Sequence, residues 1–223
     1  MATTEPTARR RAGSRAGLDR ERILMAARGM DPDSLTMQAV ADRLGVDRKA
    51  LHYHVSDRAG LLRLVAADRF ETHFLAAAAD LAGEWREALV SYAKAIRTGL
   101  IAMGTLVDFF RFDPAPDYPS FAPVETLLRR MIDAGFSARQ AGRALILVTG
   151  VAMMSARDEV LQATDEGHPQ LPELRRALGT DATTSYPTLR ALAQEESGLY
   201  DDGQFEFDLR VLIRGLEGEI GQE

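Results

Sequence analysis

The sequence predicts an all-α protein, and three observations support this fold class. Gly and Pro are scarce over long stretches, apolar residues recur at every third or fourth position, and no segment alternates Val, Ile or Thr as a half-buried strand does. The 223 residues carry a net charge of -6, but residues 1–60 hold 11 basic and 8 acidic side chains, which leaves +3 there and -9 in the remainder. The sequence therefore predicts a small basic N-terminal domain and a larger acidic one.

Several classes of protein are excluded by composition. The chain has no cysteine, so disulfides, thiolate nucleophiles and cysteine zinc sites are absent. No phosphate-binding Gly loop, GxSxG or HExxH motif occurs, and we expect neither an enzyme nor a bound metal or cofactor. Residues 1–17 contain Arg9, Arg10 and Arg11 without a following apolar segment, which predicts a disordered basic arm rather than a secretory signal. With no membrane span, we expect a soluble protein, and the absence of cysteine fits a reducing cytoplasm.

The N-terminal elements predict a helix-turn-helix. Asp19 is a plausible cap for a first helix over residues 18–29, which the Asp-Pro-Asp at 31–33 ends. Thr36 can cap a second helix, and Gly45 permits the left-handed turn that ends it. The second and third helices are expected over residues 37–44 and from Asp47 towards Val55. Two short helices joined by a tight glycine turn are typical of this motif.

The rest of the chain predicts longer helices. A fourth helix begins after Ser56 or Asp57, extends to about residue 80, and links the two domains. Further helices are expected over residues 84–103, 121–134, 138–162, 186–196 and 204–218, with breaks at 113–116 and 167–184. The predicted domains are the arm at 1–17, a helix-turn-helix domain at 18–62 and a second domain at 63–223.

The third helix carries side chains suited to DNA. Arg48, Lys49, His52 and Tyr53 combine donors for base edges with groups that contact phosphates, as a helix in the major groove requires. Lys49 could equally be a solvated surface residue. His52 and His54 do not predict a metal site, because residues two apart on a helix point about 200° away from each other.

The same segment resembles the tetracycline-repressor (TetR) family. The matching pattern is Thr36-x-x-x-Val40-Ala41-x-x-Leu44-Gly45-Val46, Ala50-Leu51-x-Tyr53-His54-Val55 and Arg58-x-x-Leu61-Leu62, with weaker matches at 134–137 and 209–220. The resemblance implies base contacts from Gln38, Arg48, Lys49 and Ala50. It implies phosphate contacts from Thr36, His52, Tyr53, His54 and Arg58. Gln38 favours adenine, and Arg48 or Lys49 favours guanine, unless Gln38 is only solvated surface.

Apolar side chains in the acidic domain predict dimerisation. The segment 145–153 is apolar on nearly all sides, and the last helix carries a stripe formed by Phe205, Leu209, Leu212, Leu216 and Ile220. A helix that is apolar on several faces is buried on several faces. The resemblance implies that two such helices from each subunit form a four-helix dimer interface. The alternative is that both helices belong to the core of a single subunit.

Aromatic and methionine side chains predict an adaptable apolar pocket for a small molecule. The candidates are Phe74, Trp85, Tyr92, Ile96, Met103, Phe109, Phe110, Leu127, Met131, Met153 and Met154, each of which could instead be ordinary core. Where tetracycline repressors hold the drug and its magnesium with His, Asn, Gln and His, the resemblance places Phe74, Tyr92, Leu127 and Gly150 here. We therefore expect no magnesium-tetracycline binding and a more hydrophobic aromatic or polyketide-like effector.

These observations predict a homodimeric repressor that binds palindromic double-stranded operator DNA and is released by a small hydrophobic effector. Its recognition helices would enter successive major grooves about one helical turn apart. The alternatives are a ligand-independent or activating regulator, and a helical small-molecule-binding protein or enzyme with a vestigial N-terminal domain. The arm at 1–17 either adds contacts to DNA or is an idle tail.

Overall fold

The computed structural model describes residues 18–111, 118–162, 170–179, 186–194 and 199–221, and within these ranges the chain is helical without a strand. The all-α prediction is confirmed. The expected basic arm at 1–17 and the expected break at 113–116 lie outside the described residues. No helix among the described ranges is long and apolar enough to cross a membrane. The chain divides into two compact units between Val65 and Ala66.

The first unit contains α1 (Arg20–Ala27), α2 (Met37–Leu44), α3 (Arg48–Leu51) and the start of α4 (Arg58–Ala77). Its core consists of side chains with no exposed surface, among them Ile23, Leu35, Val40, Leu51 and Leu61. The predicted caps are confirmed, because Asp19 accepts a hydrogen bond from the Arg22 amide and Thr36 from the Ala39 amide. The Arg43 guanidinium donates to the Ala26 carbonyl at 3.1 Å and ties α2 to α1.

The predicted extension of the third helix towards Val55 is wrong. α3 ends at Leu51, and residues 52–54 form a turn. The Leu51 carbonyl accepts from both the His54 and the Val55 amide at 2.9 Å, and this tightens the chain into a turn. His52 Nδ1 is 2.8 Å from the Ser56 carbonyl oxygen, which fixes the exit from that turn.

Among its described residues, the second unit contains the remainder of α4 and six further α-helices. These are α5 (Trp85–Met103), α6 (Phe121–Asp133), α7 (Ala138–Gln162), α8 (Gln170–Leu178), α9 (Pro187–Gln194) and α10 (Asp202–Glu217), with a 3-10 helix at Gly104–Phe109 after α5. α5 packs against α6 and α7, and α10 packs on α7. The interior of this unit therefore lies around α5.

The predicted break at 167–184 is wrong over residues 170–178, which form α8. Arg190, on α9, donates to the Leu178 carbonyl at 2.8 Å and to the Gly179 carbonyl at 3.2 Å. Arg175 donates in the other direction, to the Ala193 carbonyl. These bonds satisfy carbonyls that a helix end leaves unpaired, so α8 and α9 stabilise each other.

Gly99 sets the distance between α5 and α4. A Cβ at this position would lie 2.8 Å from Phe70 Cδ2 and 3.1 Å from the Phe70 carbonyl oxygen. Carbon atoms do not approach so closely without a shift of the backbone. The close packing of Phe70 against α5 therefore depends on the missing side chain.

Candidate functional site

The turn between α2 and α3 fixes the direction of α3. Gly45 adopts a left-handed conformation, with φ 66° and ψ 33°, and the Val46 amide donates to the Ala41 carbonyl at 3.1 Å. Asp47 Oδ1 then accepts from the Lys49 amide at 2.7 Å and caps α3. This geometry presents one face of a short helix from a rigid base.

The residues on and after α3 that were expected to contact DNA lie at the surface. Arg48, Lys49 and His52 are exposed, and Tyr53 is 91% exposed. A tyrosine ring with so little contact to its own chain is available for a partner. Ala50 and His54 are partly buried between these residues and the core of the unit.

Three of the other predicted DNA contacts already hold partners within the first unit. Gln38 Nε2 donates to Asp42 Oδ1 at 2.7 Å, which orients the amide and leaves its second N–H and its oxygen for a base. Arg58 donates from Nε to the Leu35 carbonyl and from Nη2 to the Pro32 carbonyl, both at 3.0 Å. The Thr36 hydroxyl accepts from the Ala39 amide at 3.1 Å. Arg58 thus ties the start of α4 to the segment before α2.

A cluster of four aromatic rings occupies the second unit where α4 meets α5; we call it the aromatic cluster. Phe70 and Phe74 stack at 5.4 Å, Phe110 lies 4.9 Å from Phe70, and Tyr92 meets Phe74 edge-on at 5.9 Å. Phe74 and Tyr92 are buried. Burial raises the pKa of Tyr92, and its hydrogen bond with the Thr149 side chain opposes that rise.

The structure separates the predicted effector residues into groups. Ile96, Met103, Leu127 and Met131 are buried in the same unit as the aromatic cluster, and Phe109 is partly buried. Trp85 packs elsewhere: its ring meets Phe136 at 5.0 Å, and it lies seven residues, or about 10 Å, along α5 from Tyr92. Trp85 therefore does not contribute to the aromatic cluster.

Met153 and Met154 do not join the buried residues. They are 53% and 58% exposed on α7, and Gly150, which the resemblance had placed with Phe74, is exposed on the same helix. Positions 146, 150 and 153 or 154 share one helical face. The structure therefore places these side chains on the outside of the protomer rather than in its interior.

On α10 the predicted dimer stripe belongs instead to the core of the single chain, because Phe205, Leu209, Leu212 and Leu216 are buried there, and the exposed apolar side chains of this helix are Phe207 and Val211. Six large apolar side chains are more than half exposed on α7 and α10, and we call them the outer apolar face: Ile146, Leu147, Met153, Met154, Phe207 and Val211. A groove of about 370 Å³ adjoins it, lined by residues of both helices including Leu147 and Leu212. A Cβ added at Gly142, Gly150 or Gly215 would meet no atom within 4 Å. An exposed apolar surface of this extent marks an interaction site.

Sequence reasoning missed a group of polar residues beside the aromatic cluster; we call Glu71, Tyr118 and Ser120 the polar group. Ser120 is 5% exposed, and in the described part of the chain neither its hydroxyl nor the buried Glu71 Oε1 makes a hydrogen bond of normal geometry. Burial raises the pKa of Glu71 above its ordinary 4.5, and the charge of Asp68 raises it further. A glutamate three residues before Phe74, on the apolar side of α4, was the available signal in the sequence.

Tyr118 lies between the other two members of the polar group. Burial raises its pKa above the ordinary 10.0, the Ser120 hydroxyl opposes the rise, and the Glu71 charge adds to it. Its ring also meets Phe121 edge-on at 5.5 Å. The start of α6 is thereby held near α4.

Comparison with known proteins gives a consistent result. Residues 78–220 match the family model described as Tetracyclin repressor-like, C-terminal domain. The chain is similar to the tetracycline repressor protein class A from transposon 1721 of Escherichia coli, with 30% identity over 191 residues and 82% of each chain covered. It is also similar to a crystal structure of a possible TetR family transcriptional regulator from Streptomyces coelicolor A3(2), with 26% identity, a TM-score of 0.65, and 90% of this chain and 99% of that chain covered.

A further solved structure supports the fold. The Streptomyces coelicolor TetR family protein ActR in complex with actinorhodin has a TM-score of 0.67 at 24% identity, covering 93% of this chain and 99% of that chain. At that identity the likeness concerns the arrangement of helices alone.

Proposed function

Because the chain belongs to the tetracycline-repressor (TetR) family and is a ligand-responsive transcriptional repressor, we propose that it binds a palindromic operator as a homodimer and leaves it when an aromatic effector binds. The proposal rests mainly on the continuity of α4. α4 is a continuous helix that begins beside the helix-turn-helix at Arg58 and carries two rings of the aromatic cluster, Phe70 and Phe74.

The DNA contact is proposed for the exposed surface of α3 and the turn after it. Arg48 and Lys49 project from a helix whose first turn is capped by Asp47 and whose Leu51 side chain is fully buried. A guanidinium reads guanine through two parallel hydrogen bonds, and this requires a helix held at a fixed angle. His52 and Tyr53 follow on the same exposed surface and suit the neighbouring phosphates.

The homodimer is proposed to form through the outer apolar face. Ile146 is 74% exposed in the protomer, and Phe207 and Val211 are about half exposed. Two copies meeting on this face would bury these side chains, and the uncrowded Gly150 and Gly215 allow the helices to approach closely. A two-fold dimer presents two α3 helices to two half-sites of a palindrome.

The effector is proposed to bind at the aromatic cluster. Phe74 and Tyr92 are buried there and meet edge-on, and Met103 and Met131 are buried in the same unit; such side chains suit an apolar aromatic molecule rather than magnesium-tetracycline. These side chains pack on one another, so an effector must separate the rings that α4 contributes from those of its neighbours. The effector favours a state in which α4 is displaced. It can do so only to the extent that it binds this state more tightly than the other.

The experiment combines binding with release. A panel of aromatic and polyketide-like compounds is screened for a rise in Tm, and each hit is titrated into protein bound to a fluorescent operator. We expect at least one hit to lower the anisotropy of the operator. If compounds raise Tm and never release DNA, the protein is a ligand-independent or activating regulator; if none raises Tm, the proposed effector class is wrong.

A further inference from the structure

The polar group beside the aromatic cluster has unused hydrogen-bonding capacity. Among the described residues, Glu71 Oε1 is removed from water without a partner, and Ser120 Oγ, also removed from water, interacts with the Tyr118 hydroxyl alone. Leaving a buried polar atom unpaired loses its hydrogen bond to water without replacing it, so native structures keep few such atoms. An unpaired carboxylate oxygen beside a buried hydroxyl leaves hydrogen-bonding capacity that a bound molecule can use.

The position of Ser120 strengthens this argument. It precedes α6 as the N-cap residue, yet its hydroxyl makes no capping hydrogen bond with that helix. A serine at this position ordinarily accepts from a backbone amide of the first turn. The Ser120 hydroxyl is therefore buried but does not cap α6.

The polar group also adjoins the aromatic cluster. Glu71 and Phe74 are three residues apart, so they share one face of α4. Tyr118 is near enough to interact electrostatically with Glu71 and to contact Ser120. Phe74 in turn meets Phe70 and Tyr92. The aromatic rings and the buried oxygen acceptors of Glu71 and Ser120 therefore lie on the same side of α4.

We infer that Glu71, with Ser120 and Tyr118, forms the polar end of the effector site and takes a hydrogen-bond donor carried on an aromatic ring. This inference rests on the proposed function, because it specifies the ligand of the same site. The donor is a hydroxyl or an ammonium group, since Glu71 Oε1 can only accept while the carboxyl is ionised. An aromatic carboxylate is disfavoured, because it would add a further negative charge beside Glu71 and Asp68.

The test uses three probes that differ in one substituent: 1-naphthol, 1-naphthylmethylammonium and 1-naphthoate. Their Kd values for the full chain are measured by titration calorimetry near neutral pH. We expect the better of the two donor probes to bind about tenfold more tightly than 1-naphthoate, as one added hydrogen bond to a charged group allows. Whichever of 1-naphthol and 1-naphthylmethylammonium has the lower Kd shows whether the site prefers a hydroxyl or an ammonium donor.

Variants assign the preference to the polar group. Glu71→Gln should remove most of the difference between 1-naphthylmethylammonium and 1-naphthoate, and Ser120→Ala should weaken the preferred donor probe. Glu125→Gln, which removes an exposed carboxylate of α6 paired with Arg129 at 2.9 Å, should leave all three Kd values unchanged. Both site variants should fold, because Ser120→Ala removes a buried hydroxyl that does not cap α6, and Glu71→Gln keeps the shape of the side chain while removing the charge that burial disfavours.

Three outcomes overturn the inference: equal binding of the three probes, no binding of any probe, or a preference that Glu71→Gln and Ser120→Ala leave intact. Operator binding of the same proteins separates this failure from that of the proposed function. If the wild-type chain retains no operator, the proposed function fails; if it retains operator but does not discriminate between the probes, only the polar end is misassigned.

Discussion

Arg48 is the side chain on which sequence discrimination should depend most. It is exposed at the first position of α3, and its guanidinium suits the O6 and N7 atoms of guanine. Arg48→Ala should lower the preference for operator over base-substituted DNA by about 1–3 kcal/mol. The measurement is a mobility-shift titration against both DNAs. Arg129→Ala removes an equal charge from α6 and should not alter that ratio; an Arg48→Ala protein with unchanged discrimination would exclude the role.

Glu71 should make the protein less stable as the pH rises. Its pKa is raised in the folded state because burial disfavours the charged form, with Asp68 adding to the effect. The folded chain therefore holds this proton above pH 4.5, where the unfolded chain has lost it, and stability falls as the pH rises through the folded pKa. In urea titrations, the free energy of unfolding of Glu71→Gln relative to wild type should be higher at pH 7 than at pH 4. A difference that does not change with pH would contradict this.

Single residues also show what local sequence can predict. The caps Asp19, Thr36 and Asp47 and the turn at Gly45 follow from interactions within four residues, and each was predictable. The partners of Arg58 lie 23 and 26 residues away along the chain, and Tyr118, whose pKa the Glu71 charge affects, lies just before α6. Such contacts require the folded backbone. The sequence therefore predicted a phosphate contact for Arg58 but not its hydrogen bonds to the Leu35 and Pro32 carbonyls.

At the scale of elements, the packing of α4 on α5 depends on Gly99. Gly99→Ala should destabilise the second unit by about 1–3 kcal/mol, since the new methyl group would meet the ring and the backbone of Phe70. Thermal unfolding measures the loss. Thr98→Ala, one position away on the exposed side of α5, should change Tm little or raise it slightly. Equal Tm values for the two variants would show that α4 and α5 are not tightly packed here.

Arg97 joins three helices. From α5 it donates to the Ser155 hydroxyl at 2.9 Å, forms ion pairs with Glu159 and Asp202 at 3.0 and 2.7 Å, and lies 5.2 Å from the centre of the Phe205 ring. A planar guanidinium can make these hydrogen bonds, ion pairs and the ring contact at the same time, whereas a lysine ammonium group cannot. Arg97→Lys should therefore keep the charge but still lower the free energy of unfolding by about 1–2 kcal/mol, measured in urea. Stability equal to that of wild type would show that charge alone suffices.

Helices with a clear apolar period were predictable, and those without one were not. α7 was expected at 138–162 and forms Ala138–Gln162, because its apolar residues recur at helical spacing. α8 was missed because its stability comes from Arg175 and Arg190, whose partners lie on the opposite helix of the pair. The exposure of Met153 and Met154 was also unpredictable, because periodicity does not tell which apolar face meets the core.

At the scale of the whole molecule, the outer apolar face should hold two copies together. Val211→Arg places a charge where the protomer exposes 52% of a valine. We expect light scattering at low micromolar concentration to give a dimer for wild type and a monomer for this variant, with weaker operator binding because two half-sites are no longer bound together. Thr98→Arg adds the same charge to exposed α5 and should remain dimeric. A dimeric Val211→Arg protein would place the interface elsewhere.

The central claim is that this acidic protein reads a palindrome with the basic surface of its first unit. Sequencing the DNA that the full chain retains from a random pool tests it most directly. The account predicts an enriched inverted repeat whose half-site centres are about 10 base pairs, or one helical turn, apart. Retention without an enriched sequence, or enrichment of a single unrepeated half-site, would contradict it.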